Sequence, residues 1–180
     1  MIPMGVLASH AHALVRHLPV DAEGLCYGRL DLPAGGNEGA EAVLAALRGF
    51  PARHLISSPA RRCRSLADTI GAASGLPCRL DARLRELDFG AWEGLPWDSV
   101  PCPALDEWAA DPWGFAPPGG ESGAALVARL RAFHAELPDA AIIVAHGGSL
   151  KVLRALLAGM EPDLLSPAQP PGSVLFSPMR

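Results

Sequence analysis

Arg16 and His17 stand together where the apolar run Ala13-Leu14-Val15 stops, and His146 closes a second run, AAIIVA, just before Gly147 and Gly148. A third run, HLIS, leads through Ser58 and Pro59 to Arg61 and Arg62. These residue types handle phosphate. A guanidinium grips phosphate oxygens through a planar fork of donors and keeps its charge. A neutral imidazole is a competent nucleophile toward phosphorus. Two histidines and at least two arginines at three such ends read as a pocket that holds a phosphoryl group and lets an imidazole attack it.

Such a pocket requires strands that end at one edge. Residues 11–16, 53–57, 78–81 and 140–145 read as strands, and SVLFS near 173–177 as an edge strand. Ala40, Val43, Leu44 and Leu47 recur at helical spacing until Gly49 and Pro51. Ser57 or Ser58 is expected to cap the next helix, with Pro59 in its first turn and Cys63, Leu66, Ala67 and Ile70 as its buried stripe. GGES opens a helix whose stripe is Leu126, Leu130, Phe133 and Leu137, and a last helix is expected over 149–158. Strands alternating with helices predict an α/β fold, a three-layer α/β/α sandwich with a mostly parallel central sheet. Ligands of such sheets bind outside the carboxyl ends of the strands. The Gly- and Pro-rich segment 18–37 reads as a loop, and its CYGRLD offers Tyr27, Arg29 and Asp31 as polar candidates. Residues 92–121 hold all four tryptophans among several prolines and read as an irregular cap on a single domain spanning 1–180.

The 180 residues suit one domain with a sizeable core, and 49% apolar with 19% charged residues is a soluble, globular composition. A net charge of −4 argues against nucleic acid or an anionic membrane as partner, so a local arginine cluster must attract an anionic substrate. No apolar run approaches the roughly 20 residues of a membrane span. Residues 1–10 read as a loose leader starting at Met1 or Met4, without the basic region of a signal peptide. Cys26, Cys63, Cys78 and Cys102 have no paired or zinc-like spacing and read as reduced thiols of a cytoplasmic protein.

In order and spacing, LVRH, SSPARRCRSLA, LRELDFGAWEG, PPGGES and IVAHGGSLKVLRALL resemble the histidine phosphatase superfamily, which contains the phosphoglycerate mutases. The resemblance runs from residue 14 to 159. CYGRLD and the Trp-rich cap are similar to the α-ribazole phosphatases of cobalamin synthesis. The resemblance implies a phosphomonoesterase without metal or other cofactor, in which His17 becomes the phosphohistidine and Arg16, Arg62 and Gly147 bind phosphate. It implies that His146 donates to a phosphate oxygen and that Glu86 is the general acid. Asp88 and Glu93 lie close enough in sequence to compete for that last role. Tyr27 and Arg29 are expected to touch the substrate, a small-molecule phosphomonoester. A homodimer is the assembly left open.

Relatives usually carry glycine after the nucleophilic histidine, whereas here Leu18 precedes Pro19. A left-handed backbone there would cost leucine about 1 kcal/mol or more. If only the carbonyl is used, to fix the imidazole tautomer, leucine serves equally; we adopt this second view. The remaining histidines have plainer readings: His10 and His12 in an exposed leader, His54 and His134 at the surface or partly packed. Arg61 reads as a solvated charge. The tryptophans read first as packing and second as a stacking surface, which would favour α-ribazole 5′-phosphate over 3-phosphoglycerate, a small acid needing extra cations instead. Competing readings are a mutase, a phosphate- or nucleotide-binding regulatory module, and a serine hydrolase built on Ser149.

Overall fold

A computed structural model describes residues 10–178, with side chains from 12 to 177, so the start at Met1 or Met4 and the leader before residue 10 lie outside the described residues. The chain runs β1 (His10–Arg16), α1 (Ala40–Leu47), β2 (His54–Ser57), α2 (Arg61–Ser74), β3 (Cys78–Leu80), α3 (Cys102–Ala110), α4 (Gly123–Ala135), β4 (Ala141–Ala145), α5 (Gly147–Leu157) and β5 (Val174–Pro178). The five strands form one sheet in the order β3-β2-β4-β1-β5. The first four are parallel, and β5 pairs antiparallel with β1 at the edge. This is the expected α/β architecture.

Side-chain alternation divides the core between the two faces of the sheet. Leu14, Ile56, Ile143 and Ala145 point to one face, where Leu126, Leu130 and Phe133 of α4 and Leu150, Leu153 and Leu157 of α5 cover them. Ala13, Val15, Leu55, Ile142 and Val144 point to the other, against Val43 of α1 and Cys63, Leu66 and Ile70 of α2. All of β4 is buried, as a central parallel strand covered on both faces must be.

Register delivers the reactive residues together. Arg16 is level with Ala145 and Ser57 with Val144. The ladder then continues one step past the strands: the His17 N–H donates to the Ala145 carbonyl at 3.1 Å and the Ser58 N–H to the Val144 carbonyl at 2.9 Å. His17, Ser58 and His146 thus leave the sheet at one level.

Four local expectations need correction. Helix α2 begins at Arg61, so Pro59 precedes it, and neither Ser57 nor Ser58 caps it. Its first N–H is taken by Asp31 Oδ1 at 2.7 Å, while Ser58 Oγ is engaged with His146. Helix α5 begins at Gly147, two residues earlier than expected. The cap contains α3 and 3-10 turns at Gly90–Trp92 and Trp97–Ser99, around a small core of Cys26, Trp92 and Val100. His12 is buried on β1, and its backbone N–H donates to Ser177 Oγ at 3.0 Å. His54 is exposed and His134 half-buried, as expected. Among the described residues no helix is long and apolar enough to cross a membrane, and the four cysteines are free.

Phe133 is fully buried where α4 meets the sheet. Phe133→Ala is expected to cost about 3–5 kcal/mol of unfolding free energy in urea titrations at pH 7; a loss below about 1 kcal/mol would contradict this account of the core.

Candidate active site

His17 is 2% exposed, and its Nδ1 lies 2.6 Å from the carbonyl oxygen of Leu18. A carbonyl can only accept, so Nδ1 carries the proton and Nε2 keeps its lone pair. Leu18 is not in the left-handed region, and its side chain is buried in the core. Its carbonyl therefore serves the histidine without backbone strain. Burial lowers His17 to about 4; the contact with Leu18 opposes this, and the charges of Arg62 and Arg16 add to it. The imidazole is neutral across the physiological range.

Arg62 is fully buried, although a guanidinium is among the costliest groups to desolvate. It donates from Nη2 to the Gly28 carbonyl at 2.6 Å, from Nη1 to the Leu30 carbonyl at 2.8 Å and from Nε to His146 Nδ1 at 3.3 Å. These bonds use three of its five N–H groups. Arg16 donates from Nη1 to the Gln169 carbonyl at 2.6 Å, and its buried Nε has no partner. Among the described residues neither arginine forms an ion pair. Two partly satisfied cations beside a neutral imidazole make a site suited to an anion.

His146 lies against His17, with ring centroids 5.2 Å apart. Its Nδ1 accepts from Arg62 and its Nε2 lies 2.8 Å from Ser58 Oγ, so Nε2 carries the proton and both nitrogens are engaged. Burial first, then the charge of Arg62, holds it well below the ordinary histidine range. The start of α5 differs from the expected phosphate cradle. The Gly148 N–H donates to Glu86 Oε2 at 2.9 Å, and the Ser149 N–H to Oε1 at 3.2 Å. The positive helix end thus holds a carboxylate. Both glycines are there for space: a methyl group at Gly148 would lie 2.5 Å from Glu86 Oε1, and one at Gly147 3.1 Å from Arg16 Cζ. Ser149 Oγ bonds to the His146 backbone and caps the helix, which removes it as a nucleophile.

The profile described as "Histidine phosphatase superfamily (branch 1)" matches residues 12–174. The chain belongs to the histidine phosphatase superfamily. It is 36% identical over 119 residues to a glucosyl-3-phosphoglycerate phosphatase of Mycobacterium tuberculosis, covering 57% of this chain and 53% of that protein. It therefore spans about half the length of that relative. It is 34% identical over 162 residues to the "probable phosphoglycerate mutase GpmB" of Yersinia enterocolitica, covering 83% and 75% of the two chains. The structure of a mycobacterial glucosyl-3-phosphoglycerate phosphatase in complex with VO3 superimposes with a TM-score of 0.80 at 29% identity, covering 92% of this chain and 91% of that one.

In this member of the superfamily the support around the site has no counterpart in the sequence pattern. Glu93 accepts from the N–H groups of Gly28, Arg29, Leu30 and Phe89 at 2.8–3.0 Å. It thereby fixes the loop whose carbonyls hold Arg62, and is committed to backbone donors. Asp88 accepts from the Gly90 N–H at 2.9 Å. Arg29, expected at the substrate, donates to the Glu86 carbonyl at 2.9 Å and pairs with Glu121. Arg129 of α4 also pairs with Glu121 and donates to the carbonyls of Arg83, Arg85 and Glu86. Tyr27 lies 5.4 Å from the Arg62 guanidinium and lines a cavity of about 190 Å³ with Glu86, Phe89, Trp108 and Lys151. The other three tryptophans do not line it. Only the clustering of acids and arginines near Glu86 in the sequence hinted at these roles.

His17 takes up its proton near pH 6.5 in the unfolded chain and near 4 in the folded one. Between these values the unfolded state binds more protons, so the contribution to stability is complete above pH 6.5 and lost as pH falls through the window. The denaturant-derived stability is expected to drop by about 2 kcal/mol from this residue between pH 7 and pH 4.5, and His17→Gln to remove that share. An unchanged pH slope in the variant would show that His17 is not buried in neutral form.

Proposed function

We propose that the protein hydrolyses phosphate monoesters through a phosphohistidine on His17. The observation that carries the reading is the pair Arg16 and Arg62, cations with donors to spare and no ion pair among the described residues, beside a neutral imidazole whose proton is fixed on Nδ1. In the first step Nε2 of His17 attacks phosphorus while the bond to the ester oxygen breaks. The ring becomes cationic, and its Nδ1–H bond to the Leu18 carbonyl strengthens. Arg16 and Arg62 take the equatorial oxygens, where phosphoryl transfer concentrates charge. Glu86, positioned by backbone donors, takes up a proton as the anionic substrate binds, gives it to the leaving oxygen and in the second step removes one from the attacking water. Phosphate departs and His17 is neutral again. His146 sets the orientation of Arg62; donating its Nε2–H to a phosphoryl oxygen requires exchange of its bond to Ser58.

The relatives suggest two finer readings. The phosphatase names favour transfer to water, the mutase name return of the phosphoryl group to the substrate. For the leaving group, the aromatic walls Tyr27, Phe89 and Trp108 favour a flat ring such as that of α-ribazole 5′-phosphate. A volume of about 190 Å³ favours something smaller, being below the roughly 300–1,000 Å³ of sites for drug-sized ligands.

Quenching under alkaline conditions with ³²P-labelled substrate should trap an acid-labile phosphoprotein and release phosphate stoichiometrically with the alcohol. The same label in His17→Ala would remove His17 from the role, and isomerised substrate without free phosphate would make the protein a mutase. Glu86→Gln is expected to slow alkyl phosphates at least about a hundredfold but p-nitrophenyl phosphate, whose leaving group needs no proton, less than about tenfold. Equal losses on both would place the proton donor elsewhere.

A further inference from the structure

The cavity beside Glu86 holds a cation that the steps above do not use. Lys151 lies on α5 one turn beyond Gly147, half-buried, and lines the cavity together with Glu86, Gly148, Tyr27, Phe89 and Trp108. Its Nζ donates to the Leu164 carbonyl at 2.9 Å. An ammonium has three N–H donors, and this one neutral acceptor uses a single donor. Among the described residues Lys151 makes no ion pair, while the neighbouring Arg29 and Arg129 are both bound to Glu121. Burial draws its pKa below the ordinary lysine value; Glu86 and Asp163 oppose that shift and Arg16 adds to it. A charge kept in an otherwise largely aromatic and aliphatic cavity, with Glu86 in the same lining but no ion pair to it among the described residues, needs a reason.

Position supplies one. Arg16 and Arg62 surround His17 and answer for the phosphoryl oxygens. Lys151 shares its cavity with the carboxylate proposed to protonate the leaving oxygen, and so stands on the side from which the alcohol departs. We propose that Lys151 reads a carboxylate carried by the leaving alcohol, and that the preferred substrates are phosphate monoesters of small hydroxy acids. The inference rests on the phosphatase reading and deepens it. An anionic arm gives the remaining N–H donors of Lys151 an acceptor inside the cavity, where water competes little for the pair and the attraction offsets the desolvation of the arm. The modest volume excludes a bulky arm, and the aromatic walls pack against the short carbon chain.

The experiment compares 3-phosphoglycerate with glycerol 3-phosphate, which differ in the carboxylate, and adds α-ribazole 5′-phosphate and p-nitrophenyl phosphate. For the natural protein kcat/KM is expected to be at least about tenfold higher on 3-phosphoglycerate than on glycerol 3-phosphate or α-ribazole 5′-phosphate, as one charge-assisted hydrogen bond supplies. Lys151→Met, which keeps the length of the stem, should lose at least about tenfold more on 3-phosphoglycerate than on glycerol 3-phosphate, mainly through KM. Lys151→Arg should keep most of the discrimination. Calorimetric titration of both ligands into the natural protein and Lys151→Met reads the same contrast without turnover. No preference in the natural protein, a preference for α-ribazole 5′-phosphate, or equal losses on all substrates in Lys151→Met would overturn the proposal; the last would make Lys151 a phosphate ligand. Failure of the natural protein to release phosphate even from p-nitrophenyl phosphate would instead remove the phosphatase reading, leaving the calorimetric contrast to decide on Lys151.

Discussion

Arg62 sits with no solvent exposure and no ion pair among the described residues, and much of the surrounding architecture exists to make that tolerable. Its charge is met by the dipoles of two carbonyls, Gly28 and Leu30, presented by a loop that has no regular structure of its own. That loop is held by Glu93, whose carboxylate gathers the three successive N–H groups of residues 28–30. Negative charge thus reaches the arginine indirectly, through oriented peptide groups. A direct ion pair would have been the simpler solution for stability, but it would have neutralised the fork that an incoming anion needs.

The same economy governs the start of α5. A helix N-terminus behind a parallel strand is a ready anion site, and here the anion is Glu86. Two glycines let the arginine on one side and the carboxylate on the other approach the helix end. From the opposite direction Arg29 and Arg129 grip the Glu86 carbonyl and share Glu121. The carboxylate is therefore clamped through its main chain and its side chain at once.

The legible part of this design lay in short-range pattern. Apolar runs that stop at Arg16-His17, at Ser57 and at His146 marked the strands, and parallel register then carried those residues to one edge. Helical stripes such as Leu126, Leu130 and Phe133 were equally plain, because burial imposes a period. What escaped was held by single contacts between distant segments. Asp31 caps α2 from 30 positions away, Glu93 reaches back 65 to Gly28, and Ser58 meets His146 across 88. None of these partners has a periodic signature, and a serine before a helix looks like its cap whether or not a histidine claims the hydroxyl. The bonds of Arg29 to the Glu86 carbonyl and to Glu121 escaped for the same reason: these acceptors lie in segments far along the chain.

The contact between His17 and Leu18 has a consequence for how this site can change over time. The group that sets the histidine's proton is a main-chain oxygen, which every amino acid possesses. The leucine side chain meanwhile answers to a different demand, filling space so closely that a methyl group on Gly172 would lie 3.3 Å from its Cδ2. The two duties of position 18 are chemically uncoupled. Selection can retune packing there without touching the nucleophile, so variation at that position speaks of the core and is silent about the chemistry next door.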